Sequence, residues 1–277
     1  VVMLRDGAAG LEVFLLKRHG LSDVLGGAYV FPGGKVDALD AQLDAQAHLD
    51  LPAAAMHAAL NEPEIDIGAA VALHVAALRE AFEETGVLYA RGAGAAQAAM
   101  AWSLLREGRA FDEVLALAGL RLEASRLQAW SRWITPIVGG VVRKRFDTRF
   151  FLAPVPDGQI ARHDNHEATD SVWLTPREAL QQYWENQIEL APPQIMSLAH
   201  LSRHGSVAAA LAEARARRPP VIRPESFEQD GGRILCYPGD ERHTVRERAL
   251  PGPTRLLYRN RRFEPVHGFE GLFGEPG

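Results

Sequence analysis

Arg79-Glu80-Ala81-Phe82-Glu83-Glu84-Thr85-Gly86-Val87 holds more chemistry in nine residues than any other part of the 277-residue chain. Just before and within it, Val71, Val75, Leu78 and Phe82 recur at spacings of four, three and four. At about 100° per residue they share one helical stripe, so the segment is predicted to be an amphipathic helix. Gly86 suits the left-handed turn that ends it. Glu80, Glu83 and Glu84 leave the opposite side as neighbours, and each like-charge pair destabilises an isolated helix by roughly 0.2–0.5 kcal/mol. A solvated polar face is the plain reading of such acids. Two features weaken it: no cluster of bases balances them, and Arg79, four residues N-terminal to Glu83, is the poorer orientation for a helical ion pair. A hard divalent cation, Mg²⁺ or Mn²⁺, would relieve the repulsion, because such ions prefer carboxylate and carbonyl oxygens.

Upstream lies Phe31-Pro32-Gly33-Gly34-Lys35. A P-loop is excluded, since Tyr29 and Val36 stand where that motif needs Gly and Ser or Thr. Together the Gly-Gly loop and the acidic helix resemble the signature of the Nudix hydrolase superfamily, a Gly-rich loop leading into R-E-x-x-E-E-x-G. The spacing departs from the usual box: Arg79 follows Gly34 by forty-five residues, about thirty more than the family pattern. The extra residues are placed at 38–66, rich in Ala, Asp and Leu with breakers at Pro52 and Pro63, and are expected to form one or two short helices. Asp40 or a later acid then takes the place of the family's Glu six residues after the Gly. Long surface insertions cost little closure entropy, so the site can survive this one.

The resemblance implies an α/β/α sandwich with a mixed central sheet, and the REAFEETGV helix against the sheet edge. It implies metal-dependent hydrolysis of a nucleoside diphosphate linked to another group. The metal set is then Gly34, Glu80, Glu83 and Glu84, with Mg²⁺ or Mn²⁺ as cofactor. Arg79, Gly33 and Gly86 support the site, and Glu80 or Glu167 orients the attacking water, with Asp170 behind Glu167. Arg145-Phe146-Asp147-Thr148-Arg149-Phe150-Phe151 and Leu190-Ala191-Pro192-Pro193-Gln194 are similar to segments of the branch that includes peroxisomal CoA diphosphatases. CoA or acyl-CoA is thus the expected substrate, with ADP-ribose, another linked nucleotide, or a non-cleaving nucleotide sensor as alternatives. Arg18, Arg145 and Arg149 are the candidate substrate-binding bases; an ion-pair network around Asp147 competes for the last two.

Composition bounds the rest. Thirty Lys and Arg against thirty-five Asp and Glu give a net charge of −5, without the basic excess of a nucleic-acid binder. A single cysteine, Cys236, excludes a disulfide framework. With no long apolar span or signal peptide, a cytoplasmic protein away from membranes is expected. The chain opens at Val1, already in strand pattern, so a few natural residues are expected ahead of it. His163, Asp164 and His166 could suggest zinc, but no second pair of ligands accompanies them. Residues 1–204 are read as the Nudix domain. Residues 205–277 are read as an extension, a helix and then a β-hairpin turning at Asn260, which could complete a homodimer or the rim of the cleft.

Overall fold

The computed structural model describes residues 1–20, 26–136, 145–163, 168–229 and 232–274. Strands β1 (Val2–Gly7) and β2 (Gly10–Arg18) form a hairpin, and β3 (Tyr29–Val30) leads into the Gly-Gly loop. The insertion contributes α1 (Ala45–His48) and α2 (Ala53–Leu60), followed by the long helix α3 (Ile67–Thr85). Helices α4 (Ala95–Arg106) and α5 (Phe111–Leu117) precede β4 (Gln128–Ile134), β5 (Asp147–Pro154) and β6 (Ala168–Leu174). Three further helices are α6 (Pro176–Trp184), α7 (Pro192–Leu201) and α8 (Val207–Ala216). Among the described residues five strands follow, β7 (Val221–Ile222), β8 (Glu225–Gln229), β9 (Gly232–Cys236), β10 (Arg255–Arg259) and β11 (Arg262–Pro265), and then a 3-10 turn, Phe269–Phe273.

The main sheet runs β3-β2-β1-β5-β4-β7, with β6 also paired to β2. β1 is antiparallel to β2 but parallel to β5, and β4 is parallel to β7, so the sheet is mixed. Alternation along the strands sends successive side chains to opposite faces. On one face Met3, Phe14, Leu16 and Phe151 meet Val71, Val75, Leu78 and Phe82 of α3. On the other, Val2, Leu4, Val13 and Leu15 meet Leu180 of α6, Ile195 and Leu198 of α7 and Leu211 of α8. This is the expected sandwich, with one correction. The REAFEETGV helix lies across the sheet's face rather than its edge, because its apolar stripe covers β1 and β5 in the middle of the strand order.

The ends of α3 follow local chemistry. Asp66 caps its N-terminus, accepting from the Ala69 N–H at 2.7 Å. Gly86, at φ 71°, ends it in the left-handed conformation and donates its N–H to the Phe82 carbonyl. The extension holds more than a hairpin: β10 and β11 pair as expected, but within a four-stranded antiparallel sheet, β11-β10-β9-β8. Among the described residues, no helix is long and apolar enough to cross a membrane.

Candidate active site

The Gly-Gly loop closes onto α3 in spite of the insertion. The Gly33 N–H donates to Glu84 Oε2 at 2.7 Å. A Cβ placed on Gly34 would stand 2.5 Å from Glu80 Cδ and both its carboxylate oxygens, so any side chain there would push the Glu80 carboxylate from its place. The Lys35 carbonyl accepts from Arg79 Nη2 at 2.9 Å. Three consecutive loop residues thus meet three residues of the helix signature.

Arg79 is the hub. Its Nε and Nη2 grip Asp40 Oδ1 and Oδ2 at 2.8 and 3.0 Å, a bidentate pair that is buried on both sides. Nη1 donates to Glu80 Oε1 at 3.0 Å and to Glu83 Oε2 at 2.8 Å. Burial works against the guanidinium's charge, but the Asp40 hydrogen bonds and the charges of Glu80, Glu83 and Asp40 outweigh it, raising its pKa. Asp40 lies six residues after Gly34, the position the family gives to Glu. The loop therefore keeps its place in the site as far as Asp40, and the additional residues depart beyond it.

Burial raises the Glu83 carboxyl above the ordinary range, and Asp40 and Asp37 add to the rise against the pull of Arg79. Asp37, Asp40, Glu80, Glu83 and Glu84 together exceed the positive charge of Lys35 and Arg79. Such an oxygen-only donor set, with a local excess of negative charge, fits a hard divalent cation. Arg79 draws Glu80 and Glu83 to itself, while Gly33 holds Glu84. Among the described residues, the metal-ligating trio whose donor atoms all lie within 4.8 Å of one another is instead His200, His204 and Glu213.

The other expected residues lie apart from this hub. Arg18 ends β2, with its Nε buried and lacking a hydrogen-bond partner among the described residues. Arg145 is exposed ahead of β5. Arg149 is engaged by Glu62 of the insertion, at 3.0 and 2.5 Å, and by Asp147. Asp170 accepts from the Tyr29 hydroxyl and from the Ser171 N–H, both at 2.8 Å. Burial, then the Asp170 hydrogen bond, push the Tyr29 phenol up to about 12. Glu167, Asp164 and His166 lie outside the described residues.

Two polar groupings elsewhere in the fold escaped the sequence reading. Arg132, directly across from Arg149 in the β4–β5 register, shares Glu62 with it and also holds Glu64 and Asp147. Pairings between residues so distant in the chain have no local signal. The His200 and His204 pair did have one, a spacing of four just before a Glu-bearing helix.

A family model described as the NUDT19 Nudix domain matches residues 5–201. The chain belongs to the NUDT19 Nudix family. It is a Nudix pyrophosphohydrolase, an enzyme that hydrolyses a diphosphate linkage, and enzymes of this kind generally use divalent metal ions. The chain is 26% identical to acyl-coenzyme A diphosphatase NUDT19 of Xenopus laevis, over 86% of its own length and 72% of the relative's. To the human protein of the same name it is 28% identical, covering 84% and 72%. Among solved structures, a NUDIX hydrolase from Alicyclobacillus acidocaldarius superposes with a TM-score of 0.60 at 28% identity, covering 76% of this chain and 92% of that one. The Nudix match stops at α7, so α8 and the second sheet lie beyond it.

Proposed function

We propose that this Nudix enzyme cleaves the diphosphate of CoA or an acyl-CoA, using Mg²⁺ or Mn²⁺ held by Glu80, Glu83, Glu84 and the Gly34 carbonyl. The observation that carries the reading is the return of Gly33 and Gly34 onto Glu84 and Glu80 across a long insertion. The acyl-coenzyme A diphosphatase names of the Xenopus and human relatives support the substrate class. When bound, the metal polarises a phosphoryl oxygen and lowers the pKa of a bound water. Arg79 and Asp40 hold the carboxylates in register, and Gly34 allows the loop backbone to approach. Glu80 or Glu167 orients the attacking water. Asp170 suits that role less well, since both its oxygens already accept hydrogen bonds. Arg18 and Arg145 supply positive charge for the substrate's phosphates, and Arg149 does so only on leaving Glu62.

The test is a panel of CoA, acyl-CoA, ADP-ribose and NADH with Mg²⁺ or Mn²⁺, run on the parent and on Glu83→Gln. CoA or acyl-CoA is expected to be cleaved fastest. The variant is expected to be slower by about 100-fold or more, the scale of a ligand supporting several kcal/mol of charge stabilisation. Equal rates in parent and variant would sink the assignment of the acids. ADP-ribose cleaved ten times faster than CoA would sink the substrate class alone. Comparing the pH dependence of kcat in Glu80→Gln and Glu167→Gln separates the two candidates, because loss of the base removes the acidic limb of the profile whereas loss of a metal ligand alone lowers kcat and leaves that limb in place.

A further inference from the structure

On the sheet face opposite α3, where α7 and α8 pack, sits a cluster that the Nudix chemistry does not use. His200 lies in the last turn of α7, and His204 follows one turn later, past the helix end. Glu213 reaches both from α8: His200 Nε2 stands 2.6 Å from Oε1, and His204 Nε2 stands 2.8 Å from Oε2. All three donor atoms lie within 4.8 Å of one another. Trp130 of β4 covers the His200 ring at 4.4 Å between centroids, and that histidine side chain is only 2% exposed.

Hydrogen bonding alone does not satisfy this cluster. Despite its short distance to the carboxylate, the buried His204 Nε2 makes no hydrogen bond, because the approach is too poorly aligned. A buried ring nitrogen that close to a carboxylate oxygen, but out of line with it, fits two ligands converging on an ion between them. We propose that His200, His204 and Glu213 form a zinc site, with three protein ligands and water in the fourth position, which ties α7 to α8. Two imidazoles and one carboxylate are a donor set zinc accepts, whereas Mg²⁺ and Mn²⁺ favour oxygen. Ligand distances near 2.1 Å in tetrahedral geometry place neighbouring donors roughly 3.4 Å apart, so Glu213 must withdraw by a fraction of an ångström. At 33% exposed, its side chain has room to do so.

Arg217 opposes the ion: its Nε is 3.2 Å from Glu213 Oε1, and its guanidinium lies over Trp130 at 4.1 Å. Removing that charge should strengthen binding. The site also spans a boundary, since His200 falls within the matched Nudix region and Glu213 falls beyond it.

The test uses the full chain, stripped with a chelator, held in excess Mg²⁺ and titrated calorimetrically with Zn²⁺. One equivalent is expected to bind to the parent and to Glu83→Gln, and to be lost in His204→Ala and Glu213→Gln. Arg217→Gln is expected to bind at least about tenfold more tightly, from relief of charge repulsion. Co²⁺ at the same site should quench Trp130 fluorescence, and the quenching should disappear with His204→Ala. Circular dichroism establishes that each variant is folded; if His204→Ala is not, Arg217→Gln and Glu213→Gln decide the question. Zinc binding that survives in Glu213→Gln, or that vanishes in Glu83→Gln, overturns the proposal, as does a parent that binds no zinc at about 0.1 mM, a level that would miss only weak sites. None of these outcomes depends on whether CoA is the substrate.

Discussion

At Gly34 the cost of a side chain falls on chemistry rather than on folding. A methyl group there would meet the carboxylate carbon and both oxygens of Glu80 at 2.5 Å, but these atoms are the far end of a flexible side chain that can swing aside. Gly34→Ala should therefore leave the fold nearly intact while displacing a carboxylate assigned to the metal. The expected outcome is a loss of about 100-fold in kcat/KM, equivalent to about 2.7 kcal/mol. The midpoint of thermal unfolding should move by only a few degrees, since about 1 kcal/mol shifts a chain of this size by roughly 2–4 °C. Kinetics and a thermal melt on one preparation decide the matter: full activity in Gly34→Ala would mean that Glu80 need not occupy this position. Gly33 differs in kind. Its φ of 147° lies in the region that favours glycine, and its N–H is committed to Glu84, so the backbone conformation is itself the constraint.

The insertion is fastened at both ends and in the middle. Asp40 pairs with Arg79 where it leaves the loop, Asp66 caps α3 where it returns, and between them Glu62 sits 4% exposed between Arg132 and Arg149. Removing one partner of a buried ion pair costs about 3–5 kcal/mol when the other is stranded. Here Asp147 and Glu64 remain to the two arginines, so Glu62→Gln should cost about 1–3 kcal/mol in urea unfolding. Glu64→Gln, with its carboxylate 57% exposed, should cost less than Glu62→Gln. Equal costs for the two would mean that the insertion is not held through Glu62. These contacts also mark what a sequence can disclose. The α3 stripe, its Gly86 terminus and the Gly-Gly loop were legible because each is a short pattern with a local physical cause. The pairing of Glu62 with Arg149 joins residues 87 apart and leaves no period to read. The placement of α3 over the middle of the sheet was likewise not legible, because an apolar stripe reveals that a helix is covered but not by which strands.

Over the whole molecule, the region beyond the Nudix match is bound into the same core rather than appended to it. Leu235, Tyr237, Leu250, Leu256 and Leu272 of the extension are buried in the cluster that contains Trp130, Trp133, Leu180 and Ile195. Tyr237 packs edge-on to Trp133 at 5.9 Å between ring centroids. The Tyr183 hydroxyl donates to the Phe263 carbonyl at 3.0 Å and accepts from its N–H at 2.8 Å, joining α6 to β11. β7 extends the main sheet by pairing with β4, a two-residue strand too short for any sequence pattern to reveal. Each large apolar side chain withdrawn from water contributes roughly 1.5–3 kcal/mol, so the five named above account for on the order of 10 kcal/mol. That is comparable to the entire stability of an ordinary domain, about 5–15 kcal/mol. A chain ending at residue 218 keeps every residue assigned to the active site, yet it should lose cooperative unfolding, near-ultraviolet circular dichroism and hydrolase activity together. A cooperative melt of that shortened chain close to the parent's midpoint would show instead that the Nudix part and α8 fold without the strands beyond residue 218. The second sheet would then be a separate unit resting on a finished enzyme.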